Sequence, residues 1–221
     1  NFTTYYDDGE FIQYGGSPIS LTRLNSSGSY IGLNNQPTGP SYFTSVYNIN
    51  LFPDDSFIIT GEFTYIGATP SNYIGKLDST GSVVTSYNVG SGFNNYVYTS
   101  GLQSDGKLIA AGTFTSYSGS AINEIARINT NGTLDTTFNP GSGFDVFNSR
   151  FSKIVVDQEN NIHVVGPFTT YSGSTVNGYV KILPNGNIHP QYTGSLSRSP
   201  IGVYTPNFVN EDAYTMELLN Y

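Results

Sequence analysis

Cysteine is absent from the 221 residues, so neither a disulfide framework nor a thiolate-held zinc can contribute to this protein. Thiol usage therefore says nothing about its redox compartment. Tryptophan is absent as well, methionine occurs once, and Lys plus Arg total only 8 against 16 acidic residues, for a formal net charge of −8. The few basic residues are dispersed, which removes the positive stripe a phosphate backbone requires, so nucleic acid is not an expected partner. No apolar run approaches the roughly 18 residues that cross a bilayer as a helix, and no basic-then-apolar leader opens the sequence. Membrane insertion is not expected. The sequence starts at Asn1 without methionine and is strand-like by Phe2, which suggests a processed product or a segment of something longer.

What remains is aromatic and small-polar: 18 Tyr, 14 Phe and 25 Gly, with charged residues at only 11%. Such sequences favour strands and turns over helices. Internal repetition then sets the architecture. Gly61, Gly112 and Gly166 each end an apolar run and are followed, one residue later, by Phe63, Phe114 and Phe168; they lie 51 and 54 residues apart. Gly81, Gly132 and Gly186 follow in tight turns with the same 51 and 54 spacings. In the first copy Gly15 and Gly28 are closer together, as expected of a degenerate terminal unit. In the third copy strands are predicted near 96–103, 107–114, 124–129 and 133–139, with Asp105-Gly106 and Asn131-Gly132 as two-residue hairpin turns. The second strand of each copy (Phe57-Ile-Ile-Thr, Leu108-Ile-Ala-Ala, Ile162-His-Val-Val) is nearly unbroken apolar sequence, so both of its faces must be covered. Neighbouring blades would supply that cover. The repeat glycine reads as a bulge or close backbone approach, and the following Phe as core.

The stretches Asp105-Gly-Lys-Leu-Ile-Ala-Ala-Gly-Thr-Phe-Thr115 and Ile125-Ala-Arg-Ile-Asn-Thr-Asn-Gly-Thr-Leu-Asp-Thr-Thr-Phe-Asn139, with the linker Gly141-Ser-Gly-Phe144, resemble the delta-60 repeat family of β-propellers. The resemblance is close in the third copy, fair in the second and fourth, and weak before residue 45. It implies a propeller fold and an occurrence in secreted or surface-attached bacterial proteins and phage virion proteins, with no catalytic residues. The expected fold is thus all-β, a propeller-type repeat array of four full blades (1–40, 41–92, 93–144, 145–196), with 197–221 as a partial fifth blade or closing strands. A small ring, a fragment of a longer propeller and an array closed by a partner all remain open.

Residues with chemistry are few. His163 lies in an apolar strand and His189 precedes Pro190, neither within a nucleophile–base motif, so no catalytic residue is assigned and no enzyme is expected. Acidic pairs at Asp7-Asp8, Asp54-Asp55 and Asp157 with Glu159 read as turn chemistry rather than calcium loops, so neither a metal nor a cofactor is expected. Arg23, Lys76, Arg127 and Lys181 each stand five residues before their turn glycine. They form either a ring of positive charge or four local pairs with turn carboxylates such as Asp105.

Antiparallel topology places the tight turns on one face and the longer loops with the crossovers on the other. The longer loops, Tyr65 to Asn72, Ser116 to Asn123 and Thr170 to Asn177, are rich in Tyr, Ser, Gly and Asn, the composition of adaptable recognition surfaces. The expected binding residues are Tyr65, Tyr117, Asn123, Tyr171 and Asn177, unless each Tyr only caps its own blade. Expected partners are other protein subunits of an assembly, or a host-surface glycan or protein, in an extracellular or virion setting.

Overall fold

The computed structural model describes residues 45–145 and 153–190 throughout, together with the strand segments Phe2–Tyr5, Phe11–Gly15, Ser20–Leu24, Tyr30–Ile31 and Pro37–Thr38 and the single residue Leu33. Among these residues there is no helix; every regular element is a strand, and all pairings are antiparallel. The strands form a succession of blade-like sheets, a β-propeller-type array. The first sheet runs in chain order through Phe2–Tyr5, Phe11–Gly15, Ser20–Leu24 and Tyr30–Ile31. The second combines Ser45–Leu51, Phe57–Glu62 and Ile74–Leu77, the third Val97–Leu102, Leu108–Gly112 and Ile125–Ile128, and the fourth Lys153–Val156, Ile162–Val165 and Tyr179–Ile182. In the second, third and fourth units the anticipated fourth strand is reduced to a single bridge, Leu77 to Val83, Ile128 to Leu134 and Ile182 to Ile188. The partial unit expected over 197–221 lies outside the described residues.

Burial follows the period-2 alternation of strands, with core on both sides of each blade. Leu108 and Ala110 point into a core shared with Ile58, Ile74 and Val97, whereas Ile109 and Ala111 point the other way, into a core with Ile154, Ile162, Val164 and Val180. A third core joins Leu21 and Leu33 to Phe57, Ile59, Phe63 and Leu77. The unbroken apolar strands are explained by this arrangement: the cores lie between units, not within them. The first strand of the third unit also packs beside the first strands of the second and fourth. Polar links join them: Asn48 donates to the Tyr98 carbonyl, Asn50 to Ser100 Oγ, and the Ile154 amide to Thr99 Oγ1.

The crossovers latch the units together. Phe93, delivered by the linker from the second unit, bridges to Tyr117, with its ring 4.3 Å from Phe114 and 4.6 Å from Tyr117. Phe144 repeats this with Phe168 and Tyr171 at 4.5 and 4.8 Å.

The repeat glycines have a steric cause. The register of the first two strands shifts between Val46 and Asn48 and again between Val97 and Thr99, so Tyr47 and Tyr98 are the extra residues of two β-bulges facing Gly61 and Gly112. A Cβ on Gly112 would overlap the Tyr96 carbonyl, and one on Gly61 the Ser45 carbonyl.

Candidate functional site

Among the described side chains, the basic residues of the repeat do not form a ring of free charge. Lys76 lies over the Phe52 ring at 3.9 Å, a cation–π contact. Arg127 is buried; its Nε donates to Asp135 at 2.8 Å, Nη2 to Thr137 at 3.1 Å and Nη1 to the Pro184 carbonyl. Lys181 pairs with Asp157 at 3.0 Å, and His163 bridges Asp157 and the Tyr179 hydroxyl. Phe52, Gln103 and Asp157 occupy one repeat position, so each basic side chain meets that position of its own unit; Arg127 reaches Gln103 Oε1 at 3.5 Å. The Arg23 side chain lies outside the described residues. The carboxylate partner of Arg127 is Asp135 rather than Asp105, which instead lies 3.8 Å from Lys107. Burial opposes ionisation of Asp135, but hydrogen bonds from Lys107 and Thr137 and the Arg127 charge hold its carboxyl well below the usual range. Asp157 is held low in the same way by Asn161, His163 and Lys181, while burial pushes the His163 imidazole down.

The loop residues expected to bind a partner divide differently. Tyr117 and Tyr171 are both 0% exposed, and their hydroxyls donate to the Gly132 and Gly186 carbonyls at 2.5 and 2.6 Å. Their rings fill the inter-unit cores, so as solvent-facing contact residues they are withdrawn. Burial raises both phenols well above their ordinary range. Tyr65, in contrast, is 45% exposed. It is not their counterpart: it pairs with Pro70 as Ser116 pairs with Ala121, and buried Ile66 takes the tyrosine position. Asn123 and Asn177 are exposed, with the Asn123 carbonyl accepting the Ile125 amide and the Asn177 amide reaching the Thr169 carbonyl.

A different set of tyrosines converges. At the end of the units opposite the tight turns, the bulges aim Tyr47 and Tyr98 at one another with centroids 5.7 Å apart. Tyr96 follows at 6.0 Å from Tyr98, and Tyr73 at 5.7 Å from Tyr96 in an edge-on arrangement. Glu62, the last residue of its strand, accepts the Tyr47 hydroxyl at 2.9 Å. Hydrogen bonding to Glu62 and its negative charge raise the Tyr96 phenol, and Tyr73 is raised by burial and then by the same carboxylate. All five side chains are half-buried.

Only the Tyr47/Tyr98 position repeats. Where Glu62 stands, the third and fourth units have Thr113 and Pro167; where Tyr73 stands they have Glu124 and Gly178. Tyr73 holds φ +67°, a left-handed conformation that is costly for a bulky residue and that Gly178 adopts freely at φ +86°. Sequence reasoning passed over this junction because it attended to what the copies share. The signal was the residue between Gly61 and Phe63, acidic only there. Among the described residues no group of three or more side chains is arranged to hold a metal.

Comparison with known proteins bears on the fold. Residues 103–138, in the third unit, match the Domain of unknown function (DUF5122) beta-propeller family. This stretch is a β-propeller repeat. No curated protein matches the sequence. Among solved structures, a gluconolactonase from Xanthomonas campestris is 14% identical with TM-score 0.46, covering 75% of this chain and 54% of its own. An X-ray structure carrying a gluconolactonase assignment is 16% identical with TM-score 0.48, covering 88% and 65%. The WD40 β-propeller domain of Doa1 is 15% identical with TM-score 0.37, covering 73% and 58%. The chain thus spans between about half and two-thirds of the length of these structures.

Proposed function

We propose that this chain is a non-enzymatic structural and adhesive propeller module that presents one end of its units to a partner. The observation that carries this reading is the junction of Tyr47, Glu62, Tyr73, Tyr96 and Tyr98. It is half-buried, amphipathic and set on bulged strands, and three of its five residues depart from the repeat that the fold requires. Residues that the architecture needs recur through the second, third and fourth units, as Phe63, Phe114 and Phe168 do; a residue present in one of these units, at one backbone position, is answering to something else. Tyrosine supplies large contact area and hydrogen bonding at low side-chain entropy, which suits recognition. The likeness to delta-60 repeats and the Tyr- and Asn-rich, Lys-poor composition support a virion tail or fibre component; a secreted or cell-surface bacterial protein binding glycan or protein is the alternative.

The test is adhesion of labelled protein to intact cells of candidate hosts. Tyr47→Ala with Tyr98→Ala is expected to abolish retention, whereas Asp105→Ala, in the tight turn at the opposite end, retains it. Equal adhesion by both folded variants would refute the assignment.

A further inference from the structure

Resting on that reading of the junction, we propose that Glu62 and the four surrounding tyrosines form a receptor for an alkylammonium group. Glu62 is a half-buried carboxylate whose hydrogen-bond donor is a phenol, and among the described residues no basic side chain pairs with it. Asp135 and Asp157 differ: each has two cationic or imidazole partners. Asp78, also half-buried, is instead satisfied by the Thr80 hydroxyl and the Thr80 and Ser82 amides of its own turn. A negative charge removed from part of its hydration and left without a counter-charge favours a cation over any other guest.

The surroundings narrow the class of cation. Tyr73, Tyr96, Tyr98 and Tyr47 form a chain of neighbouring rings with successive centroids 5.7, 6.0 and 5.7 Å apart and interplanar angles of 74°, 60° and 38°. Tilted rings present electron-rich faces, which attract weakly hydrated organic cations. A divalent metal would need six or more oxygen ligands, and the junction offers a single carboxylate. An anion would be repelled by Glu62, in a chain already at net charge −8. An apolar guest would bury the carboxylate without compensation. Tyr73 shares its left-handed φ with its repeat counterparts Glu124 and Gly178, so the backbone of the repeat sets where this ring stands.

Two sources could supply this chemistry, a lysine side chain of a partner protein or a quaternary ammonium headgroup, and the probes separate them. Calorimetric titration of the intact chain with choline, with n-butylammonium and with sodium chloride as control is expected to show saturable binding of at least one organic cation, with Kd of about 1 mM. Preference for choline assigns the quaternary source, and preference for n-butylammonium the lysine source. Glu62→Gln should weaken binding about tenfold and Tyr98→Ala by a similar factor, while Tyr98→Phe, which keeps the ring, stays within about threefold. A second readout is independent of affinity: a bound cation offsets the Glu62 field, so the Tyr96 and Tyr73 phenols should titrate at lower pH in saturating choline, a change reduced in Tyr96→Phe and lost in Tyr96→Phe with Tyr73→Phe. Circular dichroism and melting temperature confirm that each variant is folded. Absence of saturable binding, or equal affinity in Glu62→Gln, overturns the ammonium assignment. So does binding of a neutral oligosaccharide that survives Glu62→Gln but not Tyr98→Ala, with the adhesive reading left standing. If adhesion itself is indifferent to Tyr47→Ala with Tyr98→Ala, that reading fails too, whatever choline does.

Discussion

Arg127 shows how a single charged side chain can be structural. Its guanidinium is buried and shared among Asp135, Thr137, Gln103 and the Pro184 carbonyl, and it lies 5.2 Å from the Phe138 ring, so it ties the third unit to the turn of the fourth. Truncating it leaves a buried carboxylate with Lys107 as its one cationic partner. Arg127→Ala is therefore expected to lower stability by about 3 kcal/mol in urea denaturation, and Lys107→Ala, half-exposed, by about 1 kcal/mol or less. A pH dependence follows from the carboxylates. Asp135 and Asp157 have folded pKa values below the unfolded value of about 3.9, so their contribution is complete above that pH and is lost progressively as pH falls below it. Melting temperature should thus decline on acidification below about pH 4, and Asp135→Asn should start lower and show a shallower acid limb. An unchanged acid limb in that variant would place the proton uptake elsewhere.

The element that governs each unit is the bulged pair of first and second strands. Its glycine is a matter of contact rather than of backbone freedom: Gly112 lies against the Tyr96 carbonyl and cannot accept a Cβ without moving backbone. Gly119, at a hairpin tip with φ +81°, has open space around it. Gly112→Ala is expected to cost about 3 kcal/mol or more, whereas Gly119→Ala costs only the local left-handed strain of about 1 kcal/mol. Thermal denaturation of the pair measures the difference. The hairpin beside it places Tyr117 in the core, with its hydroxyl on Gly132. Tyr117→Phe should lose about 1–2 kcal/mol through the unpaired carbonyl, and Tyr117→Ala with Tyr171→Ala several kcal/mol or the fold itself. If that double variant remained as stable as wild type, the core placement would be wrong.

At the scale of the whole molecule, the cores lie between units, so each unit depends on its neighbours. Stability in such an array is carried by nearest-neighbour interfaces, and the aromatic latch residues Phe93 and Phe144 cross them. Phe93→Ala should destabilise by about 3–5 kcal/mol and, by loosening one interface, broaden the denaturation transition relative to wild type. Heat-capacity calorimetry reads both effects.

The repeat period, the all-β class, the two-sided burial of the second strands and the bulge glycines were legible in the sequence, because each depends on spacing or on the period of a strand. The identity of the tyrosines in the junction was not. Tyrosine is apolar enough for a core and polar enough for a surface, and a one-residue change of register exchanges the two, as Tyr65 and Ile66 show against Ser116 and Tyr117. Tyr117 and Tyr171 became core because crossover residues from another unit close over them; Tyr47 and Tyr98 were brought together because bulges in two units, 51 residues apart, turn them to a shared boundary. Spacing within one unit fixes what that unit buries, but only the packing of units against each other decides which side chains meet across it.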